Sequence, residues 1–278
     1  MKCVLTSTWK SNKPTTVNAL SHSDHFVPGF ETKTDASPAL RVLGPVEFTI
    51  GGKPAIRRFT GGDSQNTNGN SIMLRVDYGR TRTILTGDLN KQSQAALVKD
   101  YAGETQEFEC DVAKSCHHGS ADVSYDFLQR LRPAVTVISS GDNEGHDHPR
   151  PNIVAASATT GFFQQNNDDL ITPLIFSTEL ARSVSFGRPT KFETMDTAGA
   201  TIDSIEGEPL ERSFIHFAEK KAGDRNARIG NKMIKDTLVV AGLIYGLVNV
   251  RTDGETIMCA TLDEKDYNWR INKIKSRF

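Results

Sequence analysis

Three times between residues 71 and 149, a short run of branched apolar residues stops at a polar, glycine-bearing turn that carries aspartate or histidine. SIMLRVDY and TRTILT lead into Gly87-Asp88-Leu89-Asn90, and FECDVAKSC leads into His117-His118-Gly119-Ser120. PAVTVISSG leads into Asp142-Asn143-Glu144-Gly145-His146-Asp147-His148-Pro149. Helix-forming stretches, Lys91 to Tyr101 and Ser124 to Arg132, lie between them. Strand, polar loop, helix and strand again is the pattern of an α/β fold, whose loops at the strand carboxyl ends converge on one rim. Chemistry is expected on that rim.

The flanking sequence sets the boundaries. Residues 1–38 are polar and irregular and end in the linker-like ETKTDASP, so an ordered domain is expected from Ala39. ALRVLGPVEFTI reads as strand, Gly51-Gly52 as a turn, PAIRRF as extended chain, and Gly79-Arg80 as a tight hairpin turn. TGGDSQNTNGN, Thr60 to Asn70, is rich in Gly and Asn and is expected to be a loop. Leu174 to Ser177 and Ser183 to Phe186 add strand before Gly187 and Pro189 close the domain at 39–189. Residues 190–278 read as an appended α+β segment, with a hairpin turning at Asp253-Gly254 and strands in ETIMCATL and YNWRINKI.

Lys plus Arg number 33 against 34 Asp plus Glu, so the net charge of -1 creates no general pull toward nucleic acid or an anionic membrane. A basic site must be local. Lys221, Arg225, Arg228, Lys232 and Lys235 would form one stripe on a helix, suited to phosphates or simply solvated, although Gly223 and Gly230 weaken that helix. The apolar run Thr237 to Val250 is well short of the ~20 residues that cross a bilayer. The amino terminus shows no apolar signal region, so a cytoplasmic protein without a membrane span is expected. Cys3, Cys110, Cys116 and Cys259 form no CxxC pair, against both a disulfide framework and a cysteine zinc site.

Six of the seven histidines fall in pairs: His22 with His25, His117 with His118, and His146 with His148. Neutral imidazole is the commonest ligand of zinc-like ions, and a carboxylate such as Asp88 can bridge two cations. Any one pair can equally be a surface or hydrogen-bonded pair.

Asn70-Ser71 before a strand, LTGDLN around Asp88, KSCHHGS, and ISSGDNEGHDHPRP together resemble the carboxyl-terminal half of the metallo-β-lactamase fold, in its ComEC-like branch, over residues 39 to 187. The resemblance implies an αββα sandwich with one or two divalent ions, usually zinc, that activate a water for hydrolysis of a phosphodiester such as a nucleic-acid backbone. It implies Asp88 as bridging carboxylate and catalytic group, His118 as metal ligand, and His117 as either a ligand or a donor to the scissile group. His148 or His146 would contact metal or substrate, with Ser120 and Asn70 nearby. The family's amino-terminal HxHxDH block has one approximate counterpart, Leu20-Ser21-His22-Ser23-Asp24-His25. Here His22, Asp24 and His25 are either a degenerate metal motif or a polar loop. The alternative is therefore a truncated or degenerate, non-catalytic relative. A sheet without its partner layer would expose apolar surface, to be covered by a second polypeptide or by self-association.

Overall fold

The computed structural model describes residues 19–140, 148–178, 247–263 and 268–278, together with the backbone of short strands at 3–5, 15–17, 189–195, 201–202, 213–217 and 232–234. The chain divides into two compact units, one of residues 1–140, 149–178 and 246–278, the other of 141–148 and 179–245. In the second unit, strands Thr201–Ile202, Pro189–Met195, Ser213–Phe217 and Lys232–Ile234 pair antiparallel in that order. Lys232 of the expected basic stripe thus begins a strand, while Lys221, Arg225, Arg228 and Lys235 lie outside the described residues.

The first unit is built on a six-stranded sheet whose spatial order repeats the chain order: β1 Ala39–Gly44, β2 Met73–Tyr78, β3 Thr81–Leu85, β4 Val112–Lys114, β5 Val135–Ile138 and β6 Leu174–Ser177. β1, β2 and β3 pair antiparallel, and β3 to β6 pair parallel. The three parallel steps cross over through helices α2 Lys91–Asp100, α3 Tyr125–Leu131 and α4 Pro151–Thr160. Because such crossovers share one hand, a sheet that always steps in the same direction collects all of its helices on one face. Leu97, Phe127, Leu128, Leu131, Ile153 and Ala156 accordingly bury together against Met73, Ile84 and Ala113.

The opposite face needs another layer, and the end of the chain provides it. Strands β7 Val248–Thr252, β8 Thr256–Asp263 and β9 Asn268–Lys275 form an antiparallel sheet turning at Asp253-Gly254, as the sequence predicts. Ile257, Cys259 and Ile274 from this layer bury against Val112, Val135 and Phe176. The expected uncovered sheet face is thus covered over β4 to β6 by the chain itself, whereas Leu85 beside the rim stays exposed at 42%. The described layers are helix, sheet and sheet, with the second sheet drawn from the carboxyl-terminal side.

Two contacts fasten this layer. Gly79 in the β2–β3 turn has a φ of 54° and lies so close to Gly254 that a Cβ on it would fall 2.6 Å from the Gly254 Cα. The Asp111 carboxylate, fully buried, accepts hydrogen bonds from the Arg82 amide at 3.0 Å, the Ser276 hydroxyl at 3.0 Å and the Arg277 amide at 3.1 Å.

Thr60 to Asn70 is not a loop throughout, because Asp63–Gly69 forms helix α1. Gly61 and Gly62, at φ of 107° and 95°, turn the chain into it. The asparagines expected to favour turns close its two ends instead. Asn66 Oδ1 accepts from the Phe59 amide, and Asn70 Nδ2 donates to the carbonyls of Asn66 and Arg57. Among the described residues, no helix is long and apolar enough to cross a membrane.

Candidate metal centre

β3 ends at Leu85, and the turn that follows is fixed from three sides. The Thr86 hydroxyl donates to the Lys114 carbonyl at 2.8 Å, and Ser71 Oγ accepts from the Asp88 amide at 3.1 Å. Gly87 takes φ of 57°, where a side chain would meet Ser71 at 2.8 Å. A residue with a Cβ could not make this turn without moving Ser71, so the glycine of LTGDLN sets where Asp88 points. Asn90 then caps α2 by accepting from the Ser93 amide, and the Asp88 side chain is left 38% exposed on the rim.

The second loop places the histidines. After β4 the backbone of His117, His118 and Gly119 runs through three left-handed conformations, at φ of 44°, 53° and 82°. Two successive non-glycine residues there are strained, and the surroundings hold them. The His117 amide donates to the Gly87 carbonyl at 3.1 Å, while Gly119 packs against Pro149 and Ile138 and its carbonyl accepts from the Arg150 amide at 2.9 Å.

His118 Nδ1 lies 2.7 Å from the Ser139 carbonyl oxygen, and its Nε2 lies 3.4 Å from Asp88 Oδ1. A carbonyl oxygen only accepts, so Nδ1 carries the proton. In the neutral ring Nε2 then presents its lone pair toward the carboxylate. A carbonyl holding the far nitrogen of an imidazole is the usual support of a metal-ligating histidine. Beside the same loop, the Asn68 amide nitrogen of α1 stands 3.4 Å from His117 Nε2.

Lys114 also reaches this point. Its Nζ donates to the Gly87 carbonyl at 3.0 Å and lies 3.7 Å from Asp88 Oδ1. The sequence alone gives no sign of this, since only the register of β4 aims the side chain at the turn after β3. Cys116, one residue before the histidines, is buried, and that burial pushes its thiol up to about 11, so it does not supply a thiolate at neutral pH.

Asn70 is occupied in closing α1. Ser120 Oγ accepts from the Asp122 amide at 3.2 Å, within the turn that leads toward α3. His22, Asp24 and His25 lie beside β1, two strands and so ~10 Å from β3 along the pairing direction. There His22 Nδ1 accepts from the Glu47 amide at 2.9 Å, and Asp24 accepts from the Ser21 amide at 2.8 Å in a capping box. Both are committed to local structure, and His25 is exposed at a φ of 59°. His146 lies outside the described residues, and His148 is buried and belongs to the second unit. Among the described residues, no group of three or more His, Cys, Asp or Glu side chains is gathered to hold a metal ion. Asp88 and His118 are a pair.

No family model matches the chain. Over 93 residues, 33% of this chain, it is 31% identical to "ComE operon protein 3" of Bacillus subtilis (strain 168). Over 83 residues, 30% of this chain, it is 36% identical to "Competence protein ComA" of Neisseria gonorrhoeae. Each match spans 12% of the relative's length. The similarity is to ComEC-like competence proteins.

Proposed function

We propose that the rim forms part of a divalent-metal site for hydrolysis of a phosphodiester, in the manner of the ComEC-like branch of the metallo-β-lactamase fold, with Asp88 and His118 as two of its ligands. One observation carries this reading: an imidazole whose Nδ1 proton is held by a backbone carbonyl turns Nε2 to a carboxylate at 3.4 Å, on a strained loop at the carboxyl end of the sheet. Imidazole and carboxylate suit zinc. When bound, such an ion lowers the pKa of a water and offsets charge on the attacked phosphoryl group.

The chain's own groups have separate tasks. Ser71 and Gly87 fix the turn that carries the Asp88 carboxylate, and the Ser139 carbonyl fixes the His118 tautomer. His117, on the same strained loop, is a further ligand or the proton donor to the leaving oxygen. The remaining ligands come from outside the pair.

A second reading is favoured by the shortage of donors among the described residues: a non-catalytic relative that serves as an interaction module, or one that works only when a second polypeptide completes the site. Metal titration and bis(p-nitrophenyl) phosphate hydrolysis on the purified chain separate the two. The catalytic reading expects zinc or manganese binding and turnover, both lost in Asp88→Ala and His118→Ala with circular dichroism unchanged. Metal-free, inactive wild-type protein refutes it, whereas tight metal binding with turnover refutes the second reading.

A further inference from the structure

We infer that the Lys114 ammonium stands in the place of a second cation at Asp88, so that this rim accepts one divalent ion and not two. The inference rests on the metal reading above. A carboxylate that bridges two ions needs donor lone pairs on both sides. Here one oxygen, Asp88 Oδ1, faces both His118 Nε2 at 3.4 Å and Lys114 Nζ at 3.7 Å. The imidazole offers a lone pair, but the ammonium has three protons and none. On the lysine side the carboxylate therefore meets a positive charge that needs no ligands of its own.

The ammonium is built into the fold. Lys114 ends β4, and its register partner is Val137 on β5. Its side chain is only 21% exposed. Nζ is fixed by donation to the Gly87 carbonyl at 3.0 Å, the same carbonyl that accepts from the His117 amide at 3.1 Å. The lysine thus ties together the turns bearing Asp88 and His118. A divalent ion at that pair meets a fixed unit charge beside it, which lowers its affinity. The same charge is available to a phosphoryl oxygen.

The test is titration of the whole chain with Mn²⁺ alone, followed by electron paramagnetic resonance for stoichiometry and affinity. Wild type should take one ion. Lys114→Gln should bind it about tenfold more tightly, the scale of repulsion between a unit and a divalent charge ~5 Å apart in a water-like dielectric. Lys114→Arg, which keeps the charge, should bind no more tightly than wild type. Should Lys114→Gln fail to fold, Lys114→Met, which keeps an aliphatic stem of similar length, carries the same comparison. Two ions in wild type, or no gain in affinity on removing the charge, overturn the role of Lys114 and leave the metal reading standing. No Mn²⁺ uptake by wild type or either uncharged variant overturns both.

Discussion

Asp111→Ala tests whether the carboxyl-terminal layer is fastened to the central sheet by one buried carboxylate. The carboxylate receives the amides of Arg82 and Arg277 and the hydroxyl of Ser276, at 3.0 to 3.1 Å. Hydrogen bonds to a charged group are worth about 1.5–3 kcal/mol each, and removing the acceptor strands buried amide donors. These contributions overlap, so we expect a loss of about 3–5 kcal/mol, a large share of the roughly 5–15 kcal/mol that holds a domain folded. Asp111→Asn keeps one acceptor oxygen and should lose about half as much. Urea unfolding followed by circular dichroism measures the loss, and Trp269 fluorescence reports on the layer, because Trp269 lies on β9. A loss below about 1 kcal/mol for the alanine variant would refute the reasoning, because the three donors would then have found other partners at no cost.

Three further outcomes follow from the packing. Gly79→Ala should cost about 2–3 kcal/mol in thermal unfolding, from its positive φ and from the close approach to Gly254; an unchanged midpoint would mean that the two turns part freely. Ile257→Ala, at a side chain 1% exposed between the two sheets, should cost about 2–4 kcal/mol by chemical denaturation, and a surface-like value near zero would place it outside the core. Burial pushes the Tyr101 hydroxyl, which donates to the Leu43 carbonyl, up to about 12. The folded state therefore keeps a proton that the unfolded state loses above about pH 10. Stability should be unaffected by this group below pH 10 and fall between pH 10 and 12. Tyr101→Phe should remove that part of the alkaline loss, and an unchanged pH profile would show that the hydroxyl is not buried in solution.

The parts of the fold that could be read from sequence are those set by local alternation. The β2–β3 hairpin, helices α2 and α3, and the β7–β8 turn each carry their own signal, and the rim position of Asp88 and His118 follows from strand–loop–helix order. The misses have nonlocal causes. Asn66 and Asn70 favour turns in isolation, but their amides close α1 through bonds to Phe59 and Arg57, seven and 13 residues away. Helix α4 shows little charge contrast between its faces, and its clearest mark is Pro151 at the first turn. Lys114 reads as an ordinary strand lysine until β4 is aligned beside β3. His22 and Asp24 read in sequence either as ligands or as part of a polar loop, because spacing does not show the bonds they make to the Glu47 and Ser21 amides.

The central sheet depends on residues that leave the ribosome well after its own strands. Val112, Val135 and Phe176 are synthesised long before Ile257 and Ile274, so a nascent chain that has just completed β6 still offers water one oily side. Formation of the native packing must therefore await closure of a very long loop, a slow step that delays folding of the sheet until β9 has emerged. A ribosome stalled short of residue 248 would present that oily side to chaperones, and a polypeptide released at that length should be recovered as aggregate.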